Sequence, residues 1–275
     1  MSTYPKLLED GKAEQRSLIR LERSETRAIL TLSDPGRLNS LTAGLVLQLH
    51  ARLTELAADP GLRSIVITGA DPAFSAGGDL EMIETSSKAI RESTEPANTT
   101  DAWRWIRRQF GGVVRTIAGT DKAFIAAVNG PAAGVGLAIA LACDIIVASD
   151  RAVLVPAFGR LGLVPEVGTS WLLTRRLGYH GAIALYVRGR GIDAQEALRL
   201  GLVQDVHPHA ELLAAAERWC ARVDKLAPHA FEMTKPLLRA AADAPWEHSL
   251  ALEEYAESNC FSTATLSSAA AVVCV

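Results

Sequence analysis

Two short segments near the start of the chain, "SLIRLER" and "RAILTLSD", alternate apolar and polar positions or carry β-branched residues. With the turn-forming "SET" between them, they predict an antiparallel hairpin. In "TAGLVLQLHARLTELAAD" the spacing changes. Leu45, Val46, Leu49, Leu53 and Leu56 recur at near-helical intervals behind a candidate cap, Thr42, which predicts a helix covering a sheet. "SIVITGA" (64–70) and "AFIAAVNG" (123–130) are short apolar runs that each end in a glycine turn before a helix, the pattern of buried strands. The polar "TSSKAIRESTEPANTTD" has no usable period, so the stretch from Glu84 to Thr100 is expected to form a mobile surface loop, a lid over a site. "AWRWIRRQFGGVVRTIAG" resumes helical spacing, with Gly111 and Gly112 as the place for a kink. From about residue 168 the pattern is almost entirely helical. Strand, turn and helix recur over the first two thirds, which predicts an α/β core that coils upon itself, followed by helices.

Length and charge narrow the function. At 275 residues one large core is expected, and the net charge of −3 is dispersed along the chain. No basic stripe exists for nucleic acid or anionic lipid, so a small ligand is expected. The longest apolar run, "PAAGVGLAIALACDIIVAS", is broken by Asp144 and rich in glycine, which fits a buried helix and strand better than a membrane span. Cysteines 143, 220, 260 and 274 form no CxxC pair, and no signal segment opens the chain, so a reducing cytoplasm is expected. The histidines show no metal-ligand spacing; "HPH" (207–209) is expected to be a solvated loop, and no metal is expected.

Chemistry concentrates in two glycine turns and one acid. "DPAFSAGGDLEMI" places Gly77 and Gly78 before a helix that Asp79 can cap, and "NGPAAGVGLAIALACD" places Gly134 and Gly136 at the start of another. Both leave unpaired N–H groups at helix starts, and two such turns face to face could aim two donors at one oxygen. "GPAAGVG" is not the GxGxxG of a dinucleotide site, and "AFSAG" lacks the first glycine of a nucleophile elbow, which makes Ser75 a packing residue. Glu166, alone in the apolar "RLGLVPEVGTSWLL", suits either a helix-start charge or a carboxylate set for proton transfer.

"AFSAGGDLEMI", "AAVNGPAAGVGLAIALACDIIVAS" and "GRLGLVPEVGTSWLLTRRLG" resemble, in this order, the signatures of the crotonase, or enoyl-CoA hydratase/isomerase, superfamily, over roughly residues 15–262. The resemblance implies an α/β fold: a crotonase-like superhelix of coiled ββα units in residues 1–200, then a C-terminal helical region, 201–275, for trimerisation and pocket covering. It implies homotrimers or dimers of trimers, and an acyl-CoA thioester whose carbonyl oxygen lies between the backbone N–H groups of Gly78 and Val135. Coenzyme A would enter as part of the substrate, with no tightly bound cofactor. Substrate contacts are implied at Leu38, along Ala73, Phe74, Ser75, Ala76, Asp79 and Leu80, and at Gly134 and Phe158, with Arg37 or Arg27 meeting a phosphate. Where the family's hydratases carry their two glutamates, this chain has Ala138 and Phe158. The single acid of its isomerases and aryl-CoA dehalogenases falls on Glu166. An isomerase converting 3-enoyl-CoA to 2-enoyl-CoA, with Glu166 as acid and base, is therefore implied; a hydratase, an acyl-CoA hydrolase and a non-catalytic acyl-CoA-binding subunit are the alternatives. The tail "FSTATLSSAAAVVCV" lacks the basic helix that commonly closes such chains, and weakened assembly is expected from it.

Overall fold

The computed structural model describes residues 3–92 and 97–261. The expectation about the tail, beyond Phe261, and the centre of the expected lid, 93–96, lie outside the described residues. Helix α1 (Thr3–Ala13) precedes strands β1 (Ile19–Arg23) and β2 (Arg27–Leu32). These pair antiparallel, from Ile19 opposite Leu32 to Arg23 opposite Ala28, as their alternation predicts. Helix α2 (Ala43–Ala58) begins where the Thr42 hydroxyl accepts from the Leu45 N–H at 3.2 Å, and Leu45, Leu49, Leu53 and Leu56 form its buried face. Strand β3 (Ser64–Gly69) is buried at every position, which is why its sequence is a continuous apolar run rather than an alternation.

The chain continues through α3 (Leu80–Glu92), α4 (Ala97–Trp105), a π-helical turn (Ile106–Phe110) and α5 (Gly111–Gly119) to β4 (Ala123–Val128) and β5 (Pro131–Ala133). Then come α6 (Val135–Ala142), β6 (Ile145–Ser149), β7 (Val153–Val155) and α7 (Thr169–Arg188), which is interrupted at Gly178. Strand β8 (Ile192–Asp193), α8 (Ala194–Arg199), β9 (Asp205–His207), α9 (Leu212–Asp224), α10 (Pro228–Ala241) and α11 (Trp246–Cys260) complete it. The main sheet has the order β1-β2-β3-β4-β6-β9, parallel from β2 onward, and β5-β7-β8 form a smaller sheet. Leu45, Ile65, Ile67, Phe124 and Val128 are fully buried in the shared core. Each such side chain contributes about 1.5–3 kcal/mol.

Two expectations need correction. The expected loop is helical on both sides of residues 93–96, because Met82, Ile83, Ala89 and Ile90 lie on one half-buried face of α3 and outweigh the Ser and Thr between them. In place of a kink at Gly111 and Gly112, the irregularity of this stretch is the π-helical turn Ile106–Phe110, which ends directly before Gly111, itself at helical φ −66°. Contacts divide the chain into a unit ending at Cys220 and a second beginning at Ala221, and β9 pairs with β6 in the main sheet. In the second unit α10 packs on α11. No helix among the described residues is long and apolar enough to cross a membrane.

Candidate active site

Strands β3 and β4 are parallel neighbours, so the turns that leave them emerge side by side. The first turn joins the second through a bridge from Ser75 to Ala132 and an Ala133 N–H bond to the Ser75 carbonyl at 2.9 Å. A Cβ on Gly136 would stand 2.7 Å from both the Cβ and the carbonyl oxygen of Ser75, so only glycine lets α6 start this close. Gly77 is held at φ +90°, where a side chain is strained, and its own Cβ would meet Ala133 O at 2.5 Å. The Ser75 hydroxyl ties the turn down, donating to the Asn39 carbonyl at 2.8 Å and accepting from the Gly77 N–H at 3.2 Å. Among the described residues the N–H of Gly78 and that of Val135 have no acceptor. Val135 lies in the first turn of α6, where helix geometry supplies none. Both residues line one cavity of about 700 Å³.

Glu166 lines the same cavity, in the connection from β7 to α7. Its carbonyl is fixed by the buried Thr169, which donates from Oγ1 at 2.7 Å and from its N–H at 2.9 Å. Val167 follows at φ +47°, an unfavourable conformation for a β-branched residue that costs about 1–3 kcal/mol. The backbone is thus clamped around the acid. Its carboxyl makes no hydrogen bond or ion pair among the described residues, and no side chain caps the start of α7, so it does not serve as a helix cap. Glu166 is half-buried, and burial pushes its carboxyl from the usual carboxylate range up to about 7. The surrounding wall is apolar, formed by Val155, Ala157, Phe158, Leu161 and Leu163.

Of the residues singled out from the sequence, Gly78, Val135, Glu166, Ala76, Asp79, Leu80, Gly134 and Phe158 line this cavity together. Ala73, Phe74 and Ser75 are buried and do not line it; they form the packed base of the first turn. Leu38 is exposed at φ +52° and is not part of the lining. Asp79 caps α3, its Oδ1 accepting from the Met82 N–H at 2.8 Å, and pairs with Arg37 at 3.4 Å. Arg37 lines the cavity and Arg27 does not. Ala138 is buried within α6.

Sequence reasoning missed several supports. Buried Asn39, at φ +53°, donates from Nδ2 to the carbonyls of Ala70 and Ala73 at 2.7 Å each and so holds the first turn. Asparagine tolerates that left-handed geometry, which was the available signal. His209 is no solvated loop residue: its Nε2 lies 3.0 Å from Asp71 Oδ2 and its Nδ1 lies 3.2 Å from the Asn129 carbonyl. Among the described residues no group of three or more His, Cys, Asp or Glu is placed to hold a metal ion.

Comparison with known proteins finds relatives of this chain in sequence and in fold. The family model for enoyl-CoA hydratase/isomerase matches residues 22–271. A 1,2-epoxyphenylacetyl-CoA isomerase of Escherichia coli is 35% identical over 189 residues, covering 69% of each chain. The solved structure of an enoyl-CoA hydratase from Polaromonas sp. superposes with a TM-score of 0.79 at 32% identity, over 88% of this chain and 90% of that one. A monofunctional enoyl CoA isomerase from M. smegmatis gives a TM-score of 0.70 at 30% identity, over 86% and 99%.

Proposed function

Since the chain belongs to the enoyl-CoA hydratase/isomerase family, and has that family's crotonase fold, we propose that it shifts the double bond of a 3-enoyl-CoA to the 2-position. The observation that carries this reading is a half-buried carboxyl without a partner among the described residues, Glu166, in one cavity with the open N–H groups of Gly78 and Val135. In the proposed reaction the thioester oxygen accepts from both N–H groups, and ionised Glu166 removes a proton from C2. The charge moves to that oxygen as an enolate. The protonated acid then returns the proton to C4 as the double bond settles between C2 and C3, so no water is consumed. Each backbone donor supplies about 3 kcal/mol to the enolate-like transition state. A carboxyl near 7 suits both steps, because it can take the proton and give it back.

Ala138 and Phe158 support isomerisation over hydration, since neither can orient or activate a water, and Phe158 keeps the wall dry. Coenzyme A belongs to the substrate, and no further cofactor is needed. A trimer or a dimer of trimers in the cytoplasm accompanies the proposal. The test is a panel of acyl-CoA esters scored for isomerisation, hydration and release of free CoA, with Glu166→Gln beside the wild type. Isomerisation should dominate, and the variant should lose at least about a hundredfold in kcat and stop solvent exchange at C2 while still binding the ester. Normal turnover by Glu166→Gln would sink the assignment, and dominant hydration would redirect it to a hydratase.

A further inference from the structure

Besides Glu166, the charged residues lining the cavity are Arg37, Asp79, Glu81 and Arg160. Arg37 and Asp79 pair with each other, and Glu81 is exposed in the first turn of α3. Arg160 stands apart from these, because it is exposed and its guanidinium has no acceptor among the described residues. It lies in the short helical turn Gly159–Leu161, on the segment that also carries Phe158 and Glu166. Its stem rests on Gly189, the left-handed cap of α7 at φ +61°. A Cβ on Gly189 would stand 3.0 Å from Arg160 Nε and 3.7 Å from its Cγ, so the bare glycine forms the seat of this side chain. The nearby Arg188 is occupied by Glu196 and Arg37 by Asp79, so of the two described arginines that line the cavity Arg160 is the one with its donors open. A planar guanidinium beside apolar walls, with its donors unclaimed, suits a carboxylate or phosphate bound through paired hydrogen bonds.

We propose that Arg160 is an anion subsite for the thioester substrate, taking either a carboxylate carried by the acyl group or a phosphate of its coenzyme A portion. Its position on the Phe158–Glu166 segment favours the acyl carboxylate, which makes the substrate class an acyl-CoA with an acid group remote from the thioester. This rests on the thioester reading above.

The experiment compares kcat/KM of wild type, Arg160→Gln and Arg160→Lys on matched 3-enoyl thioesters: a neutral CoA ester, a CoA ester of the same length ending in a carboxylate, and the neutral pantetheine ester that lacks the nucleotide phosphates. With an acyl carboxylate at Arg160, the carboxylated-to-neutral ratio should fall roughly 30-fold in Arg160→Gln, and Arg160→Lys should restore part of it. A fall confined to the CoA-to-pantetheine ratio assigns the same subsite to a phosphate. If neither ratio moves, Arg160 is a solvated surface arginine and the subsite is overturned. Calorimetric binding of the same esters to Glu166→Gln and to Glu166→Gln with Arg160→Gln gives the ratios without turnover. Wild type that binds these esters but isomerises none would therefore overturn the isomerase reading and leave the subsite to stand or fall on its own ratios.

Discussion

At the scale of single residues, the carboxyl of Glu166 couples activity and stability to pH in opposite directions. Only the ionised form can take a proton from C2, so kcat/KM should fall by one proton's slope as pH drops through about 7. Stability has the other sign. The folded protein raises this group from 4.5 to about 7, so ionisation opposes folding. The stability present below 4.5 is lost as pH rises through about 7. Glu166→Gln should therefore be more stable than wild type at pH 8.5 by about 2 kcal/mol, less than the whole shift implies because the carboxyl faces an open cavity. At pH 4 the two should match. Urea unfolding at both pH values checks this, and equal midpoints at pH 8.5 would show that the carboxyl is well solvated.

At the scale of elements, the contact between the first turn and α6 is the most exposed to mutation. Gly136→Ala would place a methyl 2.7 Å from Ser75 and part the two turns. The expected result is a loss of about 10²–10³ in kcat, the cost of one oxyanion donor, with a smaller change in KM, measured on the ester that wild type isomerises best. The periodicity of α2, the alternation of β1 and β2 and the apolar runs of β3 and β4 were legible in the sequence because each is long enough to carry a pattern. Strands β5, β7, β8 and β9 were not, since two or three residues hold no period. Helix α3 was hidden by its Ser and Thr, whose weak propensity tertiary packing overrides. In the candidate site, the two glycine turns and the lone acid stood out locally, whereas the placing of Glu166 opposite those turns came only with the family resemblance. Asn39 and His209 act on partners 34 and 138 residues away, a relation that no local pattern encodes.

At the scale of the main sheet and its loops, His209 joins residues that follow or end β3, β4 and β6, because Asp71, Asn129 and Ser149 all lie within 3.4 Å of its ring. His209→Ala should cost about 1–2 kcal/mol, which for a unit of this size lowers Tm by roughly 2–8 °C. Calorimetry would register it, and an unchanged Tm would mean that water replaces the ring at no cost. The contact between Ser75 and Gly136 bears on something slower than unfolding. Because the gap between the two backbone donors is set by main chain at a bare glycine, no side-chain replacement can adjust it by degrees; it is kept or broken. Inherited variation must then collect in the walls, at Phe158, Leu161 and Ile83. A library built to retool this protein for new acyl groups belongs at those positions, and descendants of such a chain can exchange one thioester for another without rebuilding the cradle.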